Sequence, residues 1–301
     1  MTDIFNEYKS CRLCARACGV DRTSGSYGYC RMPDKVMLAR ASLHEWEEPI
    51  ISGDRGSGTI FFSGCSLGCV YCQNREISAG NVGKEVSLDR LSEIMLSLEA
   101  SGAHNVNLVT PTHYVPSIIY SVDKARKLGL SVPIVYNTSS YDSESTIALL
   151  ENTVDIYLAD LKYHLSLSAE KYSKAQNYVE SAKLAIKKMV EQKGRAEIKN
   201  GLMSSGVIVR ILLLPGHLAE AKLSCSYLLD TYGDKIYISL MNQYTPIKGV
   251  APPLDRRVTH AEYDELVDYA LKHGLKNGFT QEWGTASESF IPPFDNTGVE
   301  K

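Results

Sequence analysis

Three cysteines, Cys65, Cys69 and Cys72, stand at C-x3-C-x2-C spacing directly behind the apolar run Thr59-Ile60-Phe61-Phe62. Three thiolates presented by one tight loop can hold three corners of a cubic iron–sulfur cluster. No fourth cysteine is close in sequence. One iron would therefore lack a protein ligand and could bind a small molecule, as in an open catalytic centre rather than a closed structural one. Structural zinc fits less well, because it calls for four closing ligands. Single cysteines are often buried as small hydrophobes, but three within eight residues are not an ordinary core pattern.

Four more cysteines precede them at Cys11-x2-Cys14-x3-Cys18-x11-Cys30, with Gly19, Gly25 and Gly28 available for turns between ligands. Four thiolates can close a tetrahedral zinc site or hold an auxiliary iron–sulfur cluster, and the spacing leaves both open. So short a segment buries little core without a metal. A zinc-ribbon binder of nucleic acid is a further reading. Arg12, Arg16, Arg22 and Arg31 lend it charge, although arginines on a loop are expected to be simply solvated. Cys225, alone in a helical pattern with Leu223, Leu228 and Leu229, reads as core filler.

The cluster loop, with Tyr71 as the aromatic residue before Cys72, resembles that of the radical S-adenosylmethionine (radical SAM) superfamily. Its continuation Cys72-Gln73-Asn74-Arg75-Glu76 is similar to the branch that activates glycyl-radical enzymes, such as pyruvate formate-lyase activating enzyme. The resemblance covers roughly residues 58–245. It implies a partial (β/α)6 barrel and a 4Fe-4S cluster on Cys65, Cys69 and Cys72. The open iron of that cluster would chelate S-adenosylmethionine, and reductive cleavage would give a 5′-deoxyadenosyl radical. It also implies an electron donor such as flavodoxin or ferredoxin, oxygen sensitivity and, in that branch, a glycyl-radical protein as substrate.

The elements that must position this loop are legible as alternating apolar runs and amphipathic stretches. Strands are expected at Thr59–Phe62, Val106–Val109, Pro133–Tyr136, Asp155–Leu161, Val207–Leu214 and Lys235–Leu240, near-continuous in apolar residues as doubly covered strands are. Helices are expected around 88–98, from Pro116 to Gly129, over 178–192, and from the capping box Thr259-His260-Ala261-Glu262 to Gly274. This alternation calls for a parallel α/β sheet, either a partial barrel or a doubly wound sheet. Sites in such folds gather at the C-terminal strand ends.

Those ends carry the remaining candidates. Thr110 and Thr112 follow the second strand, where the family usually has a Gly-Gly-Glu-like motif for the amino group of the cofactor. They could accept from that ammonium instead, while the nearby His113 is as readily structural. Asn137 and Thr138 follow the third strand and Asp160-Leu161-Lys162 the fourth, both resembling elements of the activating-enzyme branch. Asn137, Thr138 and Asp160 could form an oxygen-lined site for a monovalent cation, unless Lys162 pairs with Asp160. Arg210 lies inside an apolar strand, where a guanidinium demands an anionic partner. The resemblance makes that partner the cofactor carboxylate or ribose. Gln243, after the sixth strand, and Tyr71 complete the cofactor-binding set.

At 301 residues with 44% hydrophobic and 22% charged residues, the composition is that of a globular protein. The net charge of −3 advertises no nucleic acid. No apolar run reaches the roughly 18 residues of a membrane span, and the N-terminus lacks a signal-peptide pattern, so the cytoplasm is expected. The division expected is a cysteine-rich metal-binding module over 1–50, the barrel over 51–285 and a loose tail over 286–301. Two other functions stay in view: a radical SAM enzyme modifying a small molecule or RNA, and a non-catalytic zinc or iron–sulfur binding module.

Overall fold

The apolar runs become strands because each is covered on both faces. In the computed structural model, which describes residues 4–283 and 292–300, the first five strands are β1 (Val36–His44), β2 (Ser57–Phe62), β3 (Lys84–Val86), β4 (Val106–Val109) and β5 (Ile134–Thr138). The rest are β6 (Ile156–Asp160), β7 (Glu197–Lys199), β8 (Leu202–Leu212), β9 (Tyr237–Met241) and β10 (Gly278–Thr280). Their order is β10-β9-β8-β6-β5-β4-β2-β1-β3, with β7 paired to β8. From β2 to β10 all neighbours are parallel, and the order follows the chain without reversal. A doubly wound sheet reverses at a switch point, so this winding is that of a barrel. Among the described residues it is not closed, because β10 and β3 end the path. The six expected strands are all present, and β10 adds a short seventh.

Residues along each parallel strand alternate between two environments, as the pleat requires. Ile60, Leu108, Tyr136, Tyr157, Val209 and Leu240 face the helices and share one large core with them. The intervening residues point inward. Val135, Leu158 and Ile208 pack on Ile51 of the short helix Pro49–Ser52, which plugs the lower barrel. One step nearer the C-terminal strand ends, inward residues line a cavity instead.

The crossover helices begin and end where local chemistry dictates. Leu88–Ala100 is capped by Ser87, whose side chain accepts from the Arg90 amide. His260–Lys272 carries the full Thr259/Glu262 capping box. Pro116 opens Val115–Lys127, and the long helix Tyr178–Lys193 stops at Gly194. Cys225 is fully buried in Leu218–Tyr232.

The N-terminal segment is less separate than expected. β1, from within residues 1–50, pairs antiparallel with β2, and Tyr8, Cys11, Leu13, Cys30 and Met32 belong to the main core. Its arginines are not all solvated. Arg22 is fully buried, donating to the carbonyls of Met32, Pro33 and His113 with its guanidinium against the Tyr8 and Tyr114 rings. At the other terminus, 292–300 covers an edge: Asn296 N–H donates to the Ala39 carbonyl at 3.0 Å and Ala41 N–H to that of Thr297 at 2.9 Å. Val299 is buried. Residues 284–285 of the expected barrel and 286–291 and 301 of the expected tail lie outside the described residues.

Candidate active site

The C-terminal strand ends surround a cavity of about 360 Å³, within the usual range of small-molecule sites. Of the eight cysteines, only Cys65, Cys69 and Cys72 line it. Burial pushes the Cys65 thiol up to about 12 and raises Cys72, with the neighbouring sulfurs adding to both shifts. Thiols that burial disfavours as isolated anions, as it does Cys65 and Cys72, are suited to a cationic iron centre. Among the described residues no three Cys, His, Asp or Glu side chains converge on the position of a single ion. A cube binds each thiolate at a different iron, so its sulfurs need not converge. Three thiols from one loop on one cavity wall are the donor set that a three-cysteine cluster requires.

The loop is held on several sides. Tyr71 is buried and packs edge-on against Tyr163, Tyr172 and Tyr244. The Ser173 hydroxyl donates to Cys69 Sγ at 3.0 Å, and Leu67 N–H to Cys65 Sγ at 3.3 Å. Gln73 donates to the Gln243 carbonyl at 3.0 Å, and Gln281 bridges both ends of Gln243.

Most candidates meet at the cavity. Thr110, Asn137, Thr138, Asp160, Lys162, Arg210, Gln243 and Tyr71 all line it. Thr112 does not. It is buried, and its hydroxyl bonds with Asp142, away from the cavity lining expected for it from the sequence. The same carboxylate accepts from Thr138 at 2.6 Å and Tyr136 at 2.8 Å. His113 is structural: its Nε2 lies 2.7 Å from the Ser63 carbonyl, so that nitrogen carries the proton, and burial lowers its pKa to about 3.

Lys162 pairs with Asp160 at 2.7 Å. Burial works against its charge, but Asp160 and Cys69 hold its pKa above the usual lysine value. The ammonium thus supplies the positive charge expected from a monovalent cation. Arg210 also has an internal partner. Its Nε and Nη2 donate to the two carboxylate oxygens of Glu48 at 2.8 and 2.7 Å, and Nη2 also bonds Glu47. The Glu48 carboxylate is held below its usual range by Arg210 against the opposing effect of burial. Glu47 in turn accepts from Asn107 at 2.8 Å. Two acids that line the same cavity thus partner Arg210 from within the chain. The sequence signal for them was the Glu47-Glu48-Pro49 run facing a lone strand arginine.

The other four cysteines are near one another. Cys14 is pushed up to about 12 by burial, with Cys30, Cys11 and Cys18 contributing. They abut the cluster loop: a Cβ on Gly64 would stand 2.7 Å from the Cys30 carbonyl, and Gly64 is at φ +84°.

A model of the radical SAM superfamily matches residues 59–221, just over half of the chain. An uncharacterised protein of Methanocaldococcus jannaschii is 28% identical over 283 residues, covering 90% of this chain and 77% of that protein. Among solved structures, HydG, a maturase of the FeFe-hydrogenase, matches with TM-score 0.50 and 13% identity over 72% of this chain and 49% of that one. Streptococcus suis SuiB bound to S-adenosylmethionine matches with TM-score 0.49 and 13% identity over 73% and 49%. The chain thus spans about half the length of these two structures. The unclosed parallel barrel, the three-thiol loop behind its first parallel strand and the match over residues 59–221 lead to one statement: this chain belongs to the radical SAM superfamily, whose members use a 4Fe-4S cluster and S-adenosylmethionine for radical chemistry.

Proposed function

We propose that this chain abstracts hydrogen from a polypeptide, at a glycine Cα of a partner protein, as glycyl-radical activating enzymes do. Cys65, Cys69 and Cys72 are the cluster ligands in this reading. Bound there, the cluster and S-adenosylmethionine supply a 5′-deoxyadenosyl radical after one-electron reduction by a donor such as flavodoxin or ferredoxin. Lys162, kept charged by Asp160, offers a cation for the cofactor carboxylate. Thr110, Asn137 and Gln243 offer oxygen acceptors to its ammonium. Tyr71 and its ring neighbours exclude water beside the loop. Cys11, Cys14, Cys18 and Cys30 hold a second metal centre for electron delivery or substrate docking: an auxiliary iron–sulfur cluster, or zinc if their sulfurs, which do not converge on one point in this structure, are drawn together on binding.

The observation that carries the protein-substrate reading is the open side of the barrel. The cavity is lined both by His44 at the end of β1, with Glu47 and Glu48 behind it, and by Phe279 to Gln281 in and after β10, and among the described residues these two strands do not pair with each other. An extended segment of another protein could enter between them. The likeness of the Cys69-to-Glu76 stretch to activating enzymes adds support. A glycine target suits the chemistry, because its Cα is unhindered and the radical is stabilised by flanking amides.

The test is anaerobic reconstitution with iron and sulfide, then assay of 5′-deoxyadenosine and electron paramagnetic resonance with candidate partner proteins. A glycyl doublet on the partner is expected, and it should vanish with 5′-deoxyadenosine when Cys65, Cys69 and Cys72 are replaced by Ala. Stoichiometric modification of a small molecule or an RNA, with no protein radical, would replace this substrate assignment. Undiminished 5′-deoxyadenosine in the triple variant would remove the cluster assignment itself.

A further inference from the structure

Arg16, between Cys14 and Cys18, reaches across to two segments that meet at the cluster loop. Its Nε donates to the Ser66 carbonyl at 3.0 Å and its Nη2 to that of Leu67 at 3.2 Å. Nη2 also donates to the Ser173 carbonyl at 2.8 Å, and Nη1 to that of Lys174. The guanidinium stacks on Tyr29, 3.8 Å from the ring centre. Four carbonyls held by one planar fork is a geometry that lysine, a point charge, cannot reproduce. Two of the gripped residues are those that donate to thiol sulfurs: Leu67 N–H to Cys65 at 3.3 Å and the Ser173 hydroxyl to Cys69 at 3.0 Å. Tyr163 lies 2.7 Å from the Ser173 hydroxyl. With Ser173 donating to sulfur, Tyr163 donates to Ser173, and such chains reinforce one another.

We propose that Arg16 and Ser173 are positioning residues that set the reduction potential of the cluster at Cys65, Cys69 and Cys72. The proposal rests on the assignment of those three cysteines as ligands. Hydrogen bonds to cluster sulfurs and nearby positive charge stabilise the reduced, more negative state, so both raise the potential. Neither residue lines the cavity; each acts through a sulfur or through the backbone carrying its donor.

The experiment is an anaerobic redox titration of the reconstituted enzyme. It follows the resonance signal that changes on addition of S-adenosylmethionine, with iron content measured in parallel. Ser173→Ala is expected to keep its iron and shift the midpoint to more negative potential. Arg16→Met should shift it further in the same direction, since it releases both sulfur donors and removes the charge. Arg16→Lys, which restores only the charge, should fall between Arg16→Met and wild type. Wild-type midpoints in Ser173→Ala and Arg16→Met with iron retained would overturn the proposal. So would iron loss in Arg16→Met together with an unshifted Ser173→Ala, which would leave Arg16 a folding residue. If the Cys65, Cys69 and Cys72 triple Ala variant still gives the S-adenosylmethionine-responsive signal, the ligand assignment has failed instead.

Discussion

Arg210 shows how a residue can be recognised as special while its partners within the chain go unseen. A guanidinium in an apolar strand must be neutralised, and here Glu47 and Glu48 do so from beneath the barrel. Arg210→Met would leave two carboxylates in the floor with side-chain exposures of 8% and 5%. Breaking a buried pair in this way costs about 3–5 kcal/mol. We expect loss of that order in urea denaturation, partly recovered by adding Glu47→Gln and Glu48→Gln, and cofactor binding weakened no more than the loss of folded protein explains. His113 makes a second prediction. Its pKa is near 3 in the folded chain and about 6.5 unfolded, so between those values the unfolded state binds the extra proton. Stability should therefore fall as pH drops through that window, by up to about 1.4 kcal/mol per unit from this group. His113→Gln keeps a donor for the Ser63 carbonyl but cannot ionise. A shallower slope than wild type between pH 6.5 and 5 is expected, and equal slopes would refute this account.

At the scale of elements, the cluster loop depends on a close approach that no local pattern announces. Gly64 sits at positive φ, and a side chain there would press on the Cys30 carbonyl at 2.7 Å and on Met32. Gly64→Ala should force the N-terminal segment away from the loop. Lower iron incorporation on reconstitution is the expected result, with the melting temperature lowered as well; wild-type values of both would show that the contact gives way easily. β1 escaped notice because Arg40 and Ser42 interrupt its apolar pattern and its neighbours in sequence are cysteines and turns. β3, β7 and β10 have three residues each and are largely exposed, too short to show a period. The six long parallel strands and the capped helices were legible because burial on both faces and N-cap chemistry leave strong local marks.

For the whole molecule, the shared core decides cooperativity. Tyr8, Leu13 and Met32 lie in the same cluster as Tyr136 and Ile211, and buried Arg22 ties the segment to His113. We expect one thermal unfolding transition for the full chain, lowered as a unit when the metal at Cys11, Cys14, Cys18 and Cys30 is removed by a chelator. A separate low-temperature transition confined to the N-terminal segment, followed by proteolysis, would contradict this. The tail is likewise part of the assembly: Phe294 packs on the inward-facing Phe61 at 5.4 Å.

Sequence alone determined what spacing and period can encode: three thiols without a fourth, six strands covered on both faces, and a family likeness carried by one loop. Tertiary structure decided whatever depends on partners distant in the chain. It chose barrel winding over a doubly wound sheet, because strand order is not written in any strand. It matched Arg210 with Glu47 and Glu48, 163 and 162 residues away. It turned Thr112 toward Asp142, buried Arg22, and tied Arg16, half-buried, to the cluster loop. Local patterns report burial and turn chemistry residue by residue, whereas a buried charge finds its counter-charge only once the chain has folded.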